Sequence, residues 1–432
     1  MNGQNETTGR WYSGITRYQY FVLVIACLGW IMDIFEGQLF AVFKSPAFKD
    51  LLGATRIDDP NVAWFGYVGF ASFLVGGTVG GIFFGVLADR IGRRQAMIWS
   101  MLTSATFSGL HFFATSPWHI VGLRFVVAMG VAGEWAIGAS LVAEVFPMKS
   151  RAMAGGVFHA SSVLGATMAA GLAMVFTADH HWRWAFLMAV VPALLVIWAF
   201  TYIKESEKWK TAASQPPRET SQAQRGSFSE LLGTAEWRNR ALIGLGLAAV
   251  GLGTYWIIYA WVPELTKEVL AGRVPEEVAR SRAGFAYLLM NITGGFVGLL
   301  AFAPLTMLTN RRTAFALYHV GALIMAPVTY LCAGTYAMVL ILAPIMGFFV
   351  VGMHAGYAIY FPELFPSRLR ATGTSFCFNV ARFVSAGTLL ISAVLRPYFD
   401  LRGTVCVMTG LFVIGLFLVY IAPETKGKEL PE

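Results

Sequence analysis

The chain reads as an all-α polytopic membrane protein with twelve transmembrane helices in two pseudo-symmetric six-helix halves. Three observations carry that expectation. Hydrophobic residues make up 56% of the 432 residues and charged ones only 13%, against about 25% charged in a soluble domain. The apolar residues gather in blocks of about 20 or more, the helix length that crosses ~30 Å of hydrocarbon. Finally, charged motifs in the first half recur in the second.

The blocks, numbered here as spans 1 to 12, fall at roughly 18–44, 62–87, 95–114, 118–145, 152–177, 183–203, 239–263, 283–307, 313–333, 336–361, 371–396 and 403–422. The longest hydrophilic interruption follows span 6 and divides the chain into 1–203, a linker at 204–238, and 239–432. The middle of the linker, from Thr211 to Gln224, is poor in apolar residues and reads as flexible. Phe228, Leu231, Leu232 and Trp237 then recur at near-helical spacing, which predicts an interfacial helix lying on the bilayer. With the N-terminus in the cytoplasm, most of the 32 Lys and Arg fall on the cytoplasmic side, the positive-inside asymmetry. Both termini are therefore expected in the cytoplasm and the chain in the cell membrane. The net charge of +8 follows from topology and needs no nucleic-acid partner. No cleavable leader is apparent, because a polar N-terminus runs straight into span 1. Cys27, Cys332, Cys377 and Cys406 all sit inside spans, so neither a disulfide framework nor a metal site is expected, and no cofactor. A monomer is expected.

Between spans 2 and 3 the chain reads Gly85-Val-Leu-Ala-Asp89-Arg90-Ile-Gly92-Arg93-Arg94. A carboxylate, three arginines and two glycines occupy a loop too short to fold alone, which predicts a tight turn between membrane helices. Glu144-Val-Phe-Pro-Met-Lys-Ser-Arg151 follows span 4, and Glu363-Leu-Phe-Pro-Ser-Arg-Leu-Arg370 follows span 10, at an offset of 219. Asn310-Arg311-Arg312 after span 8 is a worn copy of the first motif. These features, with the Pro423-Glu-Thr-Lys-Gly427 tail, resemble the major facilitator superfamily over nearly the whole chain. That family is built as a 6+6 repeat with its substrate site between the halves. The resemblance implies a gate at Gly85, Asp89, Arg90, Gly92, Arg93 and Arg94, aided by Glu144/Arg151 and Glu363/Arg370. It also implies that Asp89 contacts the opposite half near the start of span 11.

An ionisable group inside a span is a functional candidate by default. Asp33 and Glu36 in span 1 are three residues apart and share a helix face. Arg124 of span 4 lies at similar depth to Glu36, and an ion pair between Arg124 and Glu36 or Asp33 is expected. Two acids facing one arginine leave one of them free to load a proton on one side and release it on the other. Arg124 stands 20 residues before Glu144; proton-coupled sugar porters, which the chain resembles here, place an arginine of span 4 at that distance and pair it with a span 1 aspartate, which favours Asp33 as carrier. The run Gly133-Glu134-Trp135 resembles the organic-acid branches of the family, the metabolite, aromatic-acid, sialate and lactate proton symporters, and makes Glu134 a second carrier.

Arg382, with Asn379 one helical turn before it, offers a planar fork for a carboxylate. Organic-acid members often show Asn-x-Gly-Arg here, and Ala381 replaces that glycine. His159, His354 and Asn291 are polar candidates for substrate contact, or for helix-to-helix bonds. Tyr255, Trp256 and Tyr259 read either as a cavity wall or as an outer-leaflet belt; His111 and His319 read as packing. Phosphate-loop and hydrolase motifs are missing from the sequence. The expected function is proton-coupled symport of a small organic anion, and not an enzyme. A sugar or polyol porter and a non-transporting sensor are the alternatives.

Overall fold

The computed structural model describes residues 11–56, 59–175, 182–188, 190, 194, 197–198, 201–214, 225–259, 261–395 and 398–431. Parts of the predicted span 6 (189, 191–193, 195–196 and 199–200) and the linker middle at 215–224 lie outside them. Among the described residues every regular element is helical. Span 1 is Arg17–Leu52, opened by a Thr16/Gln19 capping box and closed by Gly53 in the left-handed region. Span 2 is Pro60–Ile91, span 3 Arg93–Leu110, and span 4 Pro117–Val145. Span 5 is Met148–Ala160 continued by Ser162–Val175, and span 6 is described at Trp182–Met188. Span 9 is Arg311–Cys332, span 10 is Tyr336–Gly352 with His354–Leu364, and span 12 is Leu401–Met408 with Leu411–Ile421.

Eight of these stretches are long and apolar enough by themselves to cross a membrane. The other four, spans 3, 5, 6 and 11, do not reach that measure over the described residues; span 3 carries Ser100, Thr103, Ser104, Thr106 and Ser108.

Three helices in the second half widen locally into π turns. Span 7 runs Ala235–Thr254, then π at Tyr255–Tyr259, then Val262–Leu270. Span 8 runs Glu276–Leu289, π at Met290–Phe296, then Val297–Leu308. Span 11 runs Arg370–Ser375, π at Phe376–Val380, then Ala381–Leu395. Such turns are rare and gather at functional sites.

The predicted interfacial helix is corrected. Phe228–Gly233 is helical, but Thr234 breaks it, and Trp237 belongs to the helix that begins at Ala235. Leu231 is fully buried in the protein core, and Phe228 packs 6.2 Å from Phe376. This short helix packs into the bundle because its apolar side finds protein there.

Spans 2 and 4 touch backbone to backbone, since a Cβ at Gly76 or Gly80 would run into the main chain of Phe125 or Met129. At the end of the bundle opposite the linker, each half is clasped by one arginine. Arg183 binds Asp50 at 2.5 Å and the Ala114 carbonyl at 3.0 Å. Arg402 binds Glu268 at 2.8 Å and the Ala333 carbonyl, repeating the arrangement 219 residues on. The Arg183 pair is about a quarter exposed, so its worth is modest, on the order of 1 kcal/mol. Arg183→Gln is expected to lower the thermal transition of detergent-purified protein by ~1 °C without changing ligand affinity. A calorimetric scan beside a binding isotherm checks both.

Candidate functional site

The turn between spans 2 and 3 is a single residue, Gly92, at φ +106°. Only glycine enters that region freely, and a side chain there would also meet the Glu205 carboxylate. Glu205 accepts the backbone N–H of Arg93 at 2.9 Å and of Arg94 at 3.1 Å, satisfying the first amides of span 3. Arg94 also donates to the Thr201 carbonyl at 2.6 Å, and Arg90 to that of Arg225.

Arg93 points inward and is fully buried. It donates to Asp89 at 2.7 Å, to Glu144 at 2.8 Å and to the Ser367 carbonyl at 2.7 Å. Asp89 reaches across to the other half, accepting from Ala371 N at 3.1 Å, Thr372 N at 2.8 Å and Thr372 Oγ1 at 2.6 Å. These lie at the start of span 11. Glu144 also receives Arg370, at 2.7 Å, from the other half. Gly85 lets the halves close in, because a Cβ there would come within 2.8 Å of Ser375 Cβ.

The expected groupings Glu144/Arg151 and Glu363/Arg370 are not ion pairs. Arg151 Nε donates to the Ala143 carbonyl at 3.0 Å and Arg370 Nε to that of Pro362 at 3.1 Å. Each Nε is turned back on the end of the preceding helix, while Glu144 is held by Arg93 and by Arg370 from the other half, and Glu363 by Arg311. Arg311 holds Glu363 with two bonds of 2.8 and 3.1 Å. Glu424 accepts the N–H groups of Arg311 and Arg312 as Glu205 accepts those of Arg93 and Arg94. Burial works to raise the Glu424 pKa, but four backbone donors outweigh it and hold the carboxyl below its usual range. The worn second motif thus keeps this helix-start arrangement, and Glu205 and Glu424 stand at the same offset of 219 as Glu144 and Glu363. Neither was singled out from sequence, although that offset pointed to both.

Inside the bundle the three acids of spans 1 and 4 sort into two groups. Arg124 binds Glu36 at 2.6 Å, and its guanidinium lies between the Phe40 and Phe73 rings at 4.5 and 4.4 Å. Asp33, expected beside Arg124, is instead the close electrostatic neighbour of Glu134. The reason is helical: Asp33 sits almost one turn nearer the linker end than Glu36, level with the carboxyl that span 4 presents there. Glu134 further accepts Ser104 Oγ at 2.9 Å. All four groups are buried.

Arg382 lies at the interface of the halves, half-buried, with its guanidinium over the Phe378 ring at 4.9 Å. Among the described residues its side chain makes no ion pair and donates no hydrogen bond; Asp33 is the acid that it faces electrostatically. Nearby, Trp135 Nε1 donates to His159 Nδ1 at 3.0 Å. That fixes the tautomer of the neutral ring: Nδ1 accepts, so Nε2 carries the hydrogen. Trp135 stacks on Phe378 at 3.8 Å, closing the linker side of this region.

Asn379 does not face the same space. It is fully buried, and its amide nitrogen donates to the Ala132 carbonyl at 3.2 Å and to Ser375 Oγ at 2.9 Å, joining the halves. Asn291 spends its amide on the Tyr287 carbonyl at 2.8 Å. His354 turns Nδ1 to the Val351 carbonyl at 2.9 Å and leaves a buried, unpartnered Nε2. Tyr255 stacks on Tyr259 at 5.0 Å and meets His354 at 5.9 Å, while Tyr259 meets Tyr287 at 5.7 Å. Trp256 meets Phe70 of the other half at 5.5 Å. Tyr259 is fully buried, so this set is an interior wall and not a lipid belt. Tyr255, Trp256, Tyr259, Asn291 and Asn379 all lie on π turns, which no residue pattern in the sequence announced.

Comparison with known proteins gives this architecture a family. The profile described as Major Facilitator Superfamily matches residues 20–317, and that described as Sugar (and other) transporter matches 210–432. A Cupriavidus pinatubonensis protein named as a probable 4-methylmuconolactone transporter is 28% identical over 96% of this chain and 93% of its own. The niacin transporter NiaP of Acinetobacter baylyi is 25% identical over 96% of each chain. Among solved structures, the proton:xylose symporter XylE superposes with a TM-score of 0.76 at 16% identity, covering 96% of this chain and 98% of its own. With helical halves, paired charge motifs and a profile match over most of its length, the chain belongs to the Major Facilitator Superfamily of membrane transporters.

Proposed function

We propose that this transporter moves a small organic anion together with protons across the cell membrane by alternating access, with both termini in the cytoplasm. The observation that carries the reading is the Arg382 guanidinium, which has no ion-pair partner among the described residues and stands near the fixed Nε2–H of His159. A half-buried cation with open donors suits a carboxylate, which a guanidinium grips with two parallel bonds. The tyrosines and Trp256 opposite suit a planar, partly apolar body. The curated relatives are named for a lactone and for niacin, compounds of that size. A sugar would want several amides at the site, and Asn379 and Asn291 are both spent on backbone carbonyls.

Coupling follows from charge. In the empty site ionised Asp33 balances Arg382. Asp33 and Glu134 are buried side by side, where two negative charges are costlier than one shared proton, so that pair is a natural proton store. Protonation removes the negative charge that Arg382 faces, and a substrate carboxylate then replaces it. The contacts of Asp89, Arg93 and Arg370 between the halves form the cytoplasmic gate, closed in this conformation and broken when the halves rock.

Reconstituted protein, screened with labelled benzoate, nicotinate, muconate and gluconate, should accumulate at least one under an inward proton gradient. A protonophore should abolish the accumulation; uptake that follows sodium and ignores protons overturns the coupling. Arg382→Lys keeps the charge and loses the fork, so affinity is expected to fall by 10- to 100-fold, the equivalent of about 1.5–3 kcal/mol. Isothermal titration on folded protein measures it. Asp33→Asn should abolish proton-driven accumulation and preserve substrate exchange, because exchange needs no net proton movement. Full accumulation in that variant would shift the carrier to Glu134.

A further inference from the structure

Two histidines, one from each half, are fixed by their neighbours in opposite hydrogen-bonding states. His159 of span 5 is caged by indoles. Trp135 Nε1 donates to its Nδ1 at 3.0 Å, Trp30 Nε1 donates to its carbonyl at 3.3 Å, and the Trp30 ring lies 5.8 Å away. Held so, the neutral ring offers a hydrogen at Nε2 and no acceptor. His354 of span 10 is held the other way. Its Nδ1 lies 2.9 Å from the Val351 carbonyl, and a ring nitrogen against a carbonyl is the one that carries the hydrogen. The neutral ring therefore keeps a bare lone pair at Nε2. That atom is buried and has no partner among the described residues.

Both rings belong to the region of Arg382. His159 has His354 and Arg382 as its electrostatic neighbours. A continuous aromatic floor joins the two histidines. Trp135 stands 5.9 Å from His159 and stacks on Phe378 at 3.8 Å; Phe378 lies 6.3 Å from Tyr357, and Tyr357 lies 5.3 Å from His354. Arg382 sits over the same Phe378 ring. Beyond His354, Tyr255 meets it at 5.9 Å and stacks on Tyr259, whose hydroxyl is likewise buried without a partner among the described residues. Leaving a buried acceptor unmet is costly, and two unmet polar atoms flanking one ring of the site wall ask for ligand atoms. His319 makes the same Nδ1 bond, to the Phe315 carbonyl at 2.7 Å. Its Nε2, however, is pressed against span 12, where a Cβ on Gly415 would come within 2.4 Å of it, so no ligand atom fits there.

We infer that the substrate is a carboxylate bearing a hydrogen-bond donor, a hydroxyl or an N–H, at the end remote from the carboxylate, and that His354 Nε2 reads this donor. The inference rests on the organic-anion reading above and narrows it. One end of the site, Arg382 with His159, presents only hydrogens and takes the anion. The other presents a lone pair and takes a hydrogen. Orientation is fixed by the same rule, because a reversed substrate sets donor against donors and carboxylate against lone pair. An acid that lacks the donor leaves Nε2 desolvated and unmet, and an acid with a ring acceptor there sets lone pair against lone pair. His354 is thus a specificity-determining residue.

The test measures binding to full-length purified protein by isothermal titration. The probes are benzoate, 3- and 4-hydroxybenzoate, their methyl ethers, and the uncharged 4-hydroxybenzamide. At least one hydroxybenzoate should bind about tenfold tighter than benzoate and than its own methyl ether. His354→Asn keeps an N–H for the Val351 carbonyl and removes the Nε2 acceptor. It should weaken that hydroxybenzoate about tenfold and leave benzoate within about twofold of wild type. His354→Gln sets an amide oxygen near the Nε2 position and should restore the preference. Equal wild-type affinity for benzoate and the hydroxybenzoates, or a preference that survives His354→Asn, overturns the inference while the anion reading stands. Equal weakening of both acids by His354→Asn, or a His354→Gln protein as indiscriminate as the asparagine one, shows a packing role and overturns it too. The amide bound as tightly as its acid overturns the anion reading first, and a wild-type protein that binds none of the acids overturns both.

Discussion

The buried guanidinium of Arg93 donates at once to Asp89 and Glu144 of its own half and to the Ser367 carbonyl of the other. Taking such a charge out of water costs several kcal/mol unless its donors are met by well-placed acceptors, and here the acceptors come from both halves. The one-residue turn at Gly92 aims the side chain, Glu205 pins the helix start behind it, and Arg370 returns the compliment from the far side through Glu144. Closure of the linker end is therefore a condition for satisfying the charge. Yet among the described residues satisfaction is incomplete: Arg93 Nε is buried without a partner. A network left partly unmet gives water a foothold, which lowers the cost of opening it. A lysine would carry the charge without the planar spread of donors that reaches three acceptors.

Much of this was legible in the sequence. Block lengths gave the spans, and the motif of residues 85–94 located the turn and the contact of Asp89 with the start of span 11. The pairing of Glu36 with Arg124 followed from depth along two helices. What depth alone does not give is rotation about the helix axis, and that is why Asp33 was expected at Arg124 but meets Glu134. Asn379 was misread for a related reason. A polar residue one turn from Arg382 on an α-helix shares its face, but the π turn at Phe376–Val380 alters that register. The partners Glu205 and Glu424 were hidden because they stand apart in sequence from the motifs they serve, and only the repeat offset connects them.

The two halves repeat each other at their ends and differ in their interiors. Both have an arginine–glutamate pair with a supporting glutamate at one end, and an arginine clasp at the other. Between these ends, the first half buries Asp33, Glu36, Arg124 and Glu134, while the second buries Tyr259, His354 and Tyr357 and contributes Arg382 at the seam. Shared ends let two bodies rock as mirror-matched levers; unlike interiors let one hold charge and the other hold shape.

The π turns have a consequence for how such a site diversifies. In a π turn the chain carries one residue more than an α-helix needs for the same advance. Deleting or inserting a residue there changes which side chains face inward by about a quarter turn, while the helix ends stay anchored by their clasps and caps. Three such turns interrupt spans 7, 8 and 11 of the second half, the half that carries Arg382. Lineages with this architecture hold, in single-residue length changes deep within the bilayer, a route to new ligand shapes that leaves the ionic gate untouched.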